Sequence, residues 1–411
     1  MATSQTVAGR PGGVAREVAV GFRPRASVAR SGVERIAYLD GLKVLLVAVI
    51  IAGHGAMGYS DLENAWPYQD VQEVALPHSL DVVLGAVVVP AAMFSMGLFF
   101  LLSGLVTPGS LARKGARRFV RDRVLRLGIP LLVWVLAVWP ALVYAVHREA
   151  GERRGYSAQF MRADPLLDTG PMWFVEVLLI YSLGYAAWRA YRARRPAVTA
   201  AGPVPRAPSP GGLTRLAAGV SVGTVLVRLV FPVASQQPAH PNLWQWPQYL
   251  ALFALGIVAA RGGWLHPVPG ELERRARLMA VLGLLAFVAL GLTLAATGVD
   301  SDVLFHQRLH WAPMTLAVIE GPLAVGASLW LLAIAQRRLA GPLGALGRAL
   351  ARGAFAAFIL QGVVLIGLQL ALRPLGLPAE VKALTVALVG TAGSFALAWL
   401  LVTRTPLGRV L

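Results

Sequence analysis

Six polar side chains sit inside long apolar runs of this 411-residue chain: Asp40, Lys43, His54, Glu176, Arg228 and Glu320. A charge at mid-membrane depth costs about 2.5–3.5 kcal/mol on insertion scales, so each of them needs a partner or a purpose. In the stretch RIAYLDGLKVLLVAVIIAGHGAMGYS, Lys43 and His54 are eleven residues apart. That is three helical turns plus about 20°, which puts both on one face with about 16 Å between them along the axis. Asp40 falls on the same stripe. Such a face can line a polar passage. The alternative is that Asp40 and Lys43 neutralise each other at i,i+3 while His54 bonds a neighbouring carbonyl. Glu176 (in PMWFVEVLL), Glu320 (in MTLAVIEGPLAVG), His54 and Arg228 all lie near one end of their runs. At about 1.5 Å per residue they share a depth to within about one turn. This allows a buried His–Glu pair in which the carboxylate orients the imidazole and raises its basicity. The competing reading is charge pairing that serves bundle packing, with Arg228 held by a carboxylate.

The elements that must position these groups are membrane helices. The chain is 56% hydrophobic and only 14% charged, with a mean hydropathy of +0.63. A soluble protein carries roughly a quarter of its residues as charged ones. The net charge of +18 would suit a nucleic-acid binder, but the apolar runs are too long for one. Runs of about 20 apolar residues mark spans. There are ten of them, at 37–58, 82–106, 124–146, 171–191, 213–233, 246–262, 277–297, 313–335, 353–372 and 380–403. The fold class expected is therefore an all-α polytopic membrane protein. Residues 1–33 read as a disordered tail, 34–405 as the transmembrane domain, 196–212 as a flexible Pro/Gly linker and 406–411 as a C-terminal tail. With ten spans, one side collects 29 of the 38 basic residues and the other only 7. The positive-inside rule then places both termini in the cytoplasm. Cysteine is absent, which removes thiol chemistry, thiolate metal sites and disulfides.

Several segments together resemble the acyltransferase-3 family of ten-span membrane enzymes that modify bacterial glycans and other acceptors. YLDGLKVLLVAVIIAGH is similar to the family's first helix, in which an Arg and a His have ten residues between them. FFLLSGLVTPGSLARKGARRFVRDRVLRLGIPLL (99–132) resembles its second-helix Ser-Gly element, its basic loop and its Arg-x-x-Arg entry to helix three. GPMWFVEVLLIYSLGYAAWR and PQYLALFALGIVAARGGWL are also similar to family segments. Two positions depart from the pattern. The family's Arg is Lys43 here, which keeps the charge but loses the bidentate fork. Gln361, in AAFILQG, stands where many relatives carry a His.

The resemblance implies transfer of an acyl group, acetyl or another short chain, from acyl-CoA to a hydroxyl of a glycan or other acceptor. It also implies a bacterial cytoplasmic membrane. Such a transfer needs a base for the hydroxyl proton. His54 is the expected base, Lys43 would attract the anionic donor, and Glu176 would orient His54 or the acceptor. Arg123 and Arg126, one helical turn apart, would hold the CoA phosphates, while Asp40 and Glu320 would line the substrate path. Acyl-CoA enters as co-substrate, and no permanently bound cofactor, metal or nucleic acid is expected. A secondary transporter using Asp40, Lys43, Glu176 and Glu320 is the rival reading, and it would require a repeat between the two halves that the sequence lacks. HQRLH (306–310) lacks the Glu and third ligand of a zinc helix. Ser103 lacks the Gly-x-Ser-x-Gly setting of a nucleophile. Trp66, Tyr68, Trp173, Trp244, Trp246 and Trp311 read as interfacial anchors.

Overall fold

Hydrocarbon offers no hydrogen bonds, so an apolar segment that crosses it satisfies its backbone by coiling into a helix. A computed structural model of the chain describes residues 26–62, 66–153, 155–157, 161, 167–194, 205–233, 235, 237, 241–300 and 303–409. Among these residues ten helices are long and apolar enough to cross a membrane, and no strand occurs. They are α1 (Ala26–Met57), α2 (His78–Lys114), α3 (Ala116–Glu149), α4 (Trp173–Arg194) and α5 (Pro210–Val230). The second five are α6 (Trp246–Gly262), α7 (Gly270–Thr297), α8 (Trp311–Arg338), α9 (Ala345–Leu372) and α10 (Ala379–Arg404). Each run found in the sequence falls on one helix. Most helices extend beyond their run, because backbone hydrogen bonding continues into polar ends that hydropathy alone does not count. Residues 1–25 of the expected tail and 196–204 of the expected linker lie outside the described residues, and α1 already begins at Ala26.

The helices alternate in direction, so the connections 58–77, 150–172, 231–245, 298–310 and 373–378 gather at one end of the bundle. α8 is central and packs against α7, α5, α2, α1 and α6. α9 and α10 run side by side and enclose α1, while α3 and α4 complete that half through a shared core containing Trp134, Phe174 and Phe358. The outward faces are apolar: Val83 and Val87 on α2, Leu278, Leu282 and Leu285 on α7, and Leu384 and Leu388 on α10 are all exposed. Such a surface suits lipid contact.

Two local features follow from single residues. α3 winds through wider π turns at Val124–Gly128 and Trp134–Val138, just ahead of Pro130 and Pro140. A proline ring clashes with the carbonyl four residues earlier and supplies no N–H. Widening the preceding turn moves the carbonyls of Arg126 and Leu136 aside and keeps the helix continuous. α2 and α6, in contrast, touch backbone to backbone. A Cβ at Gly104 would stand 2.2 Å from the Phe253 carbonyl oxygen, and one at Gly256 would stand 2.3 Å from that of Leu101. Small residues at such a crossing let membrane helices approach closely. Gly256→Ala is therefore expected to destabilise the purified protein by at least about 1–3 kcal/mol. Gly53→Ala, which meets nothing within 4 Å, should melt like wild type in the same detergent scan.

Candidate active site

His54 sits one turn before the end of α1, where α9 and the 58–77 connection close over the helix end. Its Nδ1 lies 2.9 Å from Oε1 of Gln361 on α9. A carbonyl oxygen only accepts, so Nδ1 carries the ring proton and Nε2 keeps its lone pair. The Trp66 indole stacks on the imidazole at 5.1 Å between centroids and 17° between planes. Gln361 is wholly buried and Trp66 almost so, while His54 keeps an accessible edge. The imidazole is thus fixed in tautomer by an amide and in plane by an indole, with one nitrogen available to accept a proton.

The cover over His54 is held by further amides. Trp66 Nε1 donates to Gln369 Oε1 at 2.9 Å, and Gln369 Nε2 donates to the Gly55 carbonyl at 3.2 Å. Gln69 Nε2 donates to the carbonyls of Met57, Ser60 and Leu62, at 3.2, 2.9 and 2.7 Å. Beyond Trp66 stand Trp139, edge-on to it, and Trp134, stacked on Trp139. The indole N–H of Trp134 goes to the Thr169 carbonyl at 3.1 Å and that of Trp139 to Asp168 at 2.7 Å. The small size of Gly362, next to Gln361, lets the Trp134 ring lie against α9, since a Cβ there would stand 2.8 Å from it.

The far edge of the cover is tied down by charge. Lys382 on α10 is buried and pairs with Glu73, and Tyr68 donates to the other Glu73 oxygen at 2.6 Å. Burial pushes the Glu73 carboxyl up. Hydrogen bonds from Lys382, Tyr68 and the Glu73 backbone, with the Lys382 charge, outweigh burial and hold the carboxyl below the usual carboxylate range. Burial, with the bond to Glu73, pushes the Tyr68 phenol up, so it stays a donor.

The remaining candidates separate. Glu176 on α4 is partly buried, its Oε2 meets no hydrogen-bond partner, and it is Gln361 rather than Glu176 that the His54 ring bonds. Glu320 on α8 forms a wholly buried ion pair with Arg228 of α5, whose guanidinium also lies 5.0 Å from the Trp244 ring centre. That is the packing role weighed for these charges. Asp40 and Lys43 pair at 2.6 Å, as i,i+3 neighbours do. Arg123 lies half-buried over Phe119 at 5.2 Å, and Arg126, three residues on, is exposed. Of the HQRLH pair, His310 accepts from the Ala312 N–H at the start of α8. No group of three metal-ligating residues occurs among the described residues. Three participants escaped the sequence reading. Trp66 was read as an interfacial anchor, and neither Lys382 nor Gln369 was singled out. Lys382 alone carried a signal, as a charge inside the tenth apolar run.

The Glu73–Lys382 tie has a measurable signature. A carboxylate whose folded pKa is depressed contributes stability above its unfolded pKa, near about 4.3, and loses it as pH falls through the folded value. The melting temperature of wild type should therefore fall more steeply below about pH 4.3 than that of Glu73→Gln. Lys382→Met leaves Glu73 unpaired. Because that carboxylate is still 24% exposed, the cost is expected at the lower end for a broken buried pair, about 3 kcal/mol.

An acyltransferase-domain family model matches residues 36–403, from the start of the first span to the end of the tenth. No curated protein and no solved structure matches the chain. A match over nearly the whole chain, on ten helices long and apolar enough to cross a membrane, settles the family: the chain belongs to the acyltransferase-3 family of membrane proteins.

Proposed function

We propose that this protein is a membrane O-acyltransferase that takes an acetyl or other short acyl group from acyl-CoA and delivers it to a hydroxyl of a glycan or other acceptor. The observation that carries the reading is the His54–Gln361 bond, which leaves Nε2 of a partly accessible imidazole as a proton acceptor inside an acyltransferase-family bundle. In this reading His54 Nε2 removes the acceptor's hydroxyl proton as the oxygen bonds to the thioester carbonyl carbon. The carbonyl electron pair moves to oxygen and then returns as the C–S bond breaks. The departing thiolate takes the proton from the imidazolium, so the base is restored and CoA leaves as the thiol.

Lys43 and the basic end of the bundle favour the anionic donor there. Arg123 and Arg126 hold the donor's phosphates, and Glu176, unpartnered at Oε2, is available to the acceptor. Asp40 acts through Lys43, and Glu320 through Arg228. With these charges neutralised in pairs, a transport path through them has little support. The bilayer is the bacterial cytoplasmic membrane, with both termini inside.

The absence of cysteine lets released CoA be followed with a thiol reagent without background from the protein. His54→Ala is expected to reduce acyl transfer from acetyl-CoA by about 10²–10⁴-fold. Undiminished transfer by that variant would remove His54 from the mechanism. Lys43→Arg should preserve or raise activity if the position acts through its charge. For topology, single cysteines placed at Ser110 and Gly212 should be protected from an impermeant thiol reagent in intact cells. One at Asp61 should react.

A further inference from the structure

Of the side-chain N–H groups that bond or stack around the His54 ring, all but one have an acceptor. The Nδ1 proton goes to Gln361 Oε1, the Trp66 indole N–H to Gln369, and the Gln369 amide to Gly55. The indole N–H groups of Trp134 and Trp139 go to Thr169 and Asp168. What remains is Nε2 of Gln361, which is wholly buried and meets no acceptor. A buried amide without a partner is costly in a protein interior and more so in hydrocarbon. Its position is set by the bond its own oxygen makes. With Oε1 at 2.9 Å from His54 Nδ1, the amide nitrogen lies no more than about 5 Å from that ring atom. Turning the amide over would pair its nitrogen with Nδ1 only in the other ring tautomer, and would then leave Oε1 without a donor and the ring proton on Nε2.

We propose that Gln361 is a catalytic residue with two simultaneous tasks: its carbonyl oxygen fixes the His54 tautomer, and its free amide N–H₂ donates to the acyl carbonyl oxygen as that oxygen becomes an oxyanion. Negative charge develops on that oxygen when the acceptor hydroxyl loses its proton to His54 and bonds to the carbonyl carbon. A buried, preorganised donor stabilises this charge with no reorganisation cost. The charge is discharged when the C–S bond breaks. The inference rests on the acyl-transfer reading above and adds to it the group that receives the transition-state charge. It also gives the glutamine at this position a role that an apolar residue of the same size cannot fill.

The test is Gln361→Glu in the full-length protein, assayed with acetyl-CoA over a rising pH series, because a buried carboxyl gives up its proton later than a free one and lacks a donor only at the alkaline end. This variant keeps an oxygen acceptor for Nδ1–H and removes the N–H donors. A positioning role alone would therefore leave turnover intact or raise it. The expected result is a loss of kcat of about 10²–10³-fold in the folded variant, with KM for acetyl-CoA changed little. A kcat within about threefold of wild type overturns the proposal, since a lost oxyanion donor costs far more than that. If His54→Ala is inactive while Gln361→Glu is active, only the role of Gln361 fails. If His54→Ala is fully active, the acyl-transfer reading itself fails. Should Gln361→Glu not fold, wild type with a dithioester analogue of acetyl-CoA gives the same reading, because the thiocarbonyl sulfur accepts hydrogen bonds weakly. A loss of about tenfold or more in turnover is expected, and turnover equal to that of acetyl-CoA itself overturns the proposal.

Discussion

Inside a bilayer a polar group that leaves water must find its partner within the protein, and in this chain side-chain amides provide many of those partners. Glutamine is neutral, carries both donors and acceptors, and reaches across a helix gap without the cost of a buried charge. Gln361 holds the His54 ring, Gln369 joins Trp66 to the Gly55 carbonyl, and Gln69 gathers three carbonyls at the end of α1. At the opposite end of the bundle Gln336 takes the Val268 N–H and gives to the Leu265 carbonyl. The imidazole, its indole cover and the close of the first connection are thus parts of one amide network.

Charges are treated differently, and the difference divides the bundle. Arg228 and Glu320 cancel each other between α5 and α8, in the half that does not contain His54. Glu73 and Lys382 cancel each other where the cover meets α10. Removing one member of such a pair costs more than the pair gives, because the other is left buried and alone. These pairs therefore specify which helices meet. The aromatic contacts running from Tyr249 through Phe100 and Phe174 to Phe358 separate the two regions.

His54 shows how much of the site could be read from the chain and where that reading stopped. Its place in the first span, its depth and its distance from Lys43 all follow from spacing along one helix. Its partner does not, because Gln361 lies 307 residues further along, and nothing local distinguishes that glutamine from one facing lipid. Glu176 shared the right depth, but depth fixes only one of three coordinates, and α4 does not turn that side chain to the imidazole. Trp66 had the composition and position of an interfacial anchor. A connection folding back over the helix end made it a wall of the site instead.

The sequence by itself determined the ten spans, their alternation, the sorting of basic residues to one end and the family segments in their order. Each of these depends on hydrophobic length, on charge counts or on residues close in the chain, and hydrocarbon enforces them without reference to any other helix. Tertiary structure alone decided which helices meet and therefore which side chains complete one another: Gln361 with His54, Arg228 with Glu320, Lys382 with Glu73 and Gly104 with Gly256. Those choices rest on helix rotation and close packing between distant segments. Lipid is nearly indifferent to rotation about a helix axis, so only the contacts between helices can fix it.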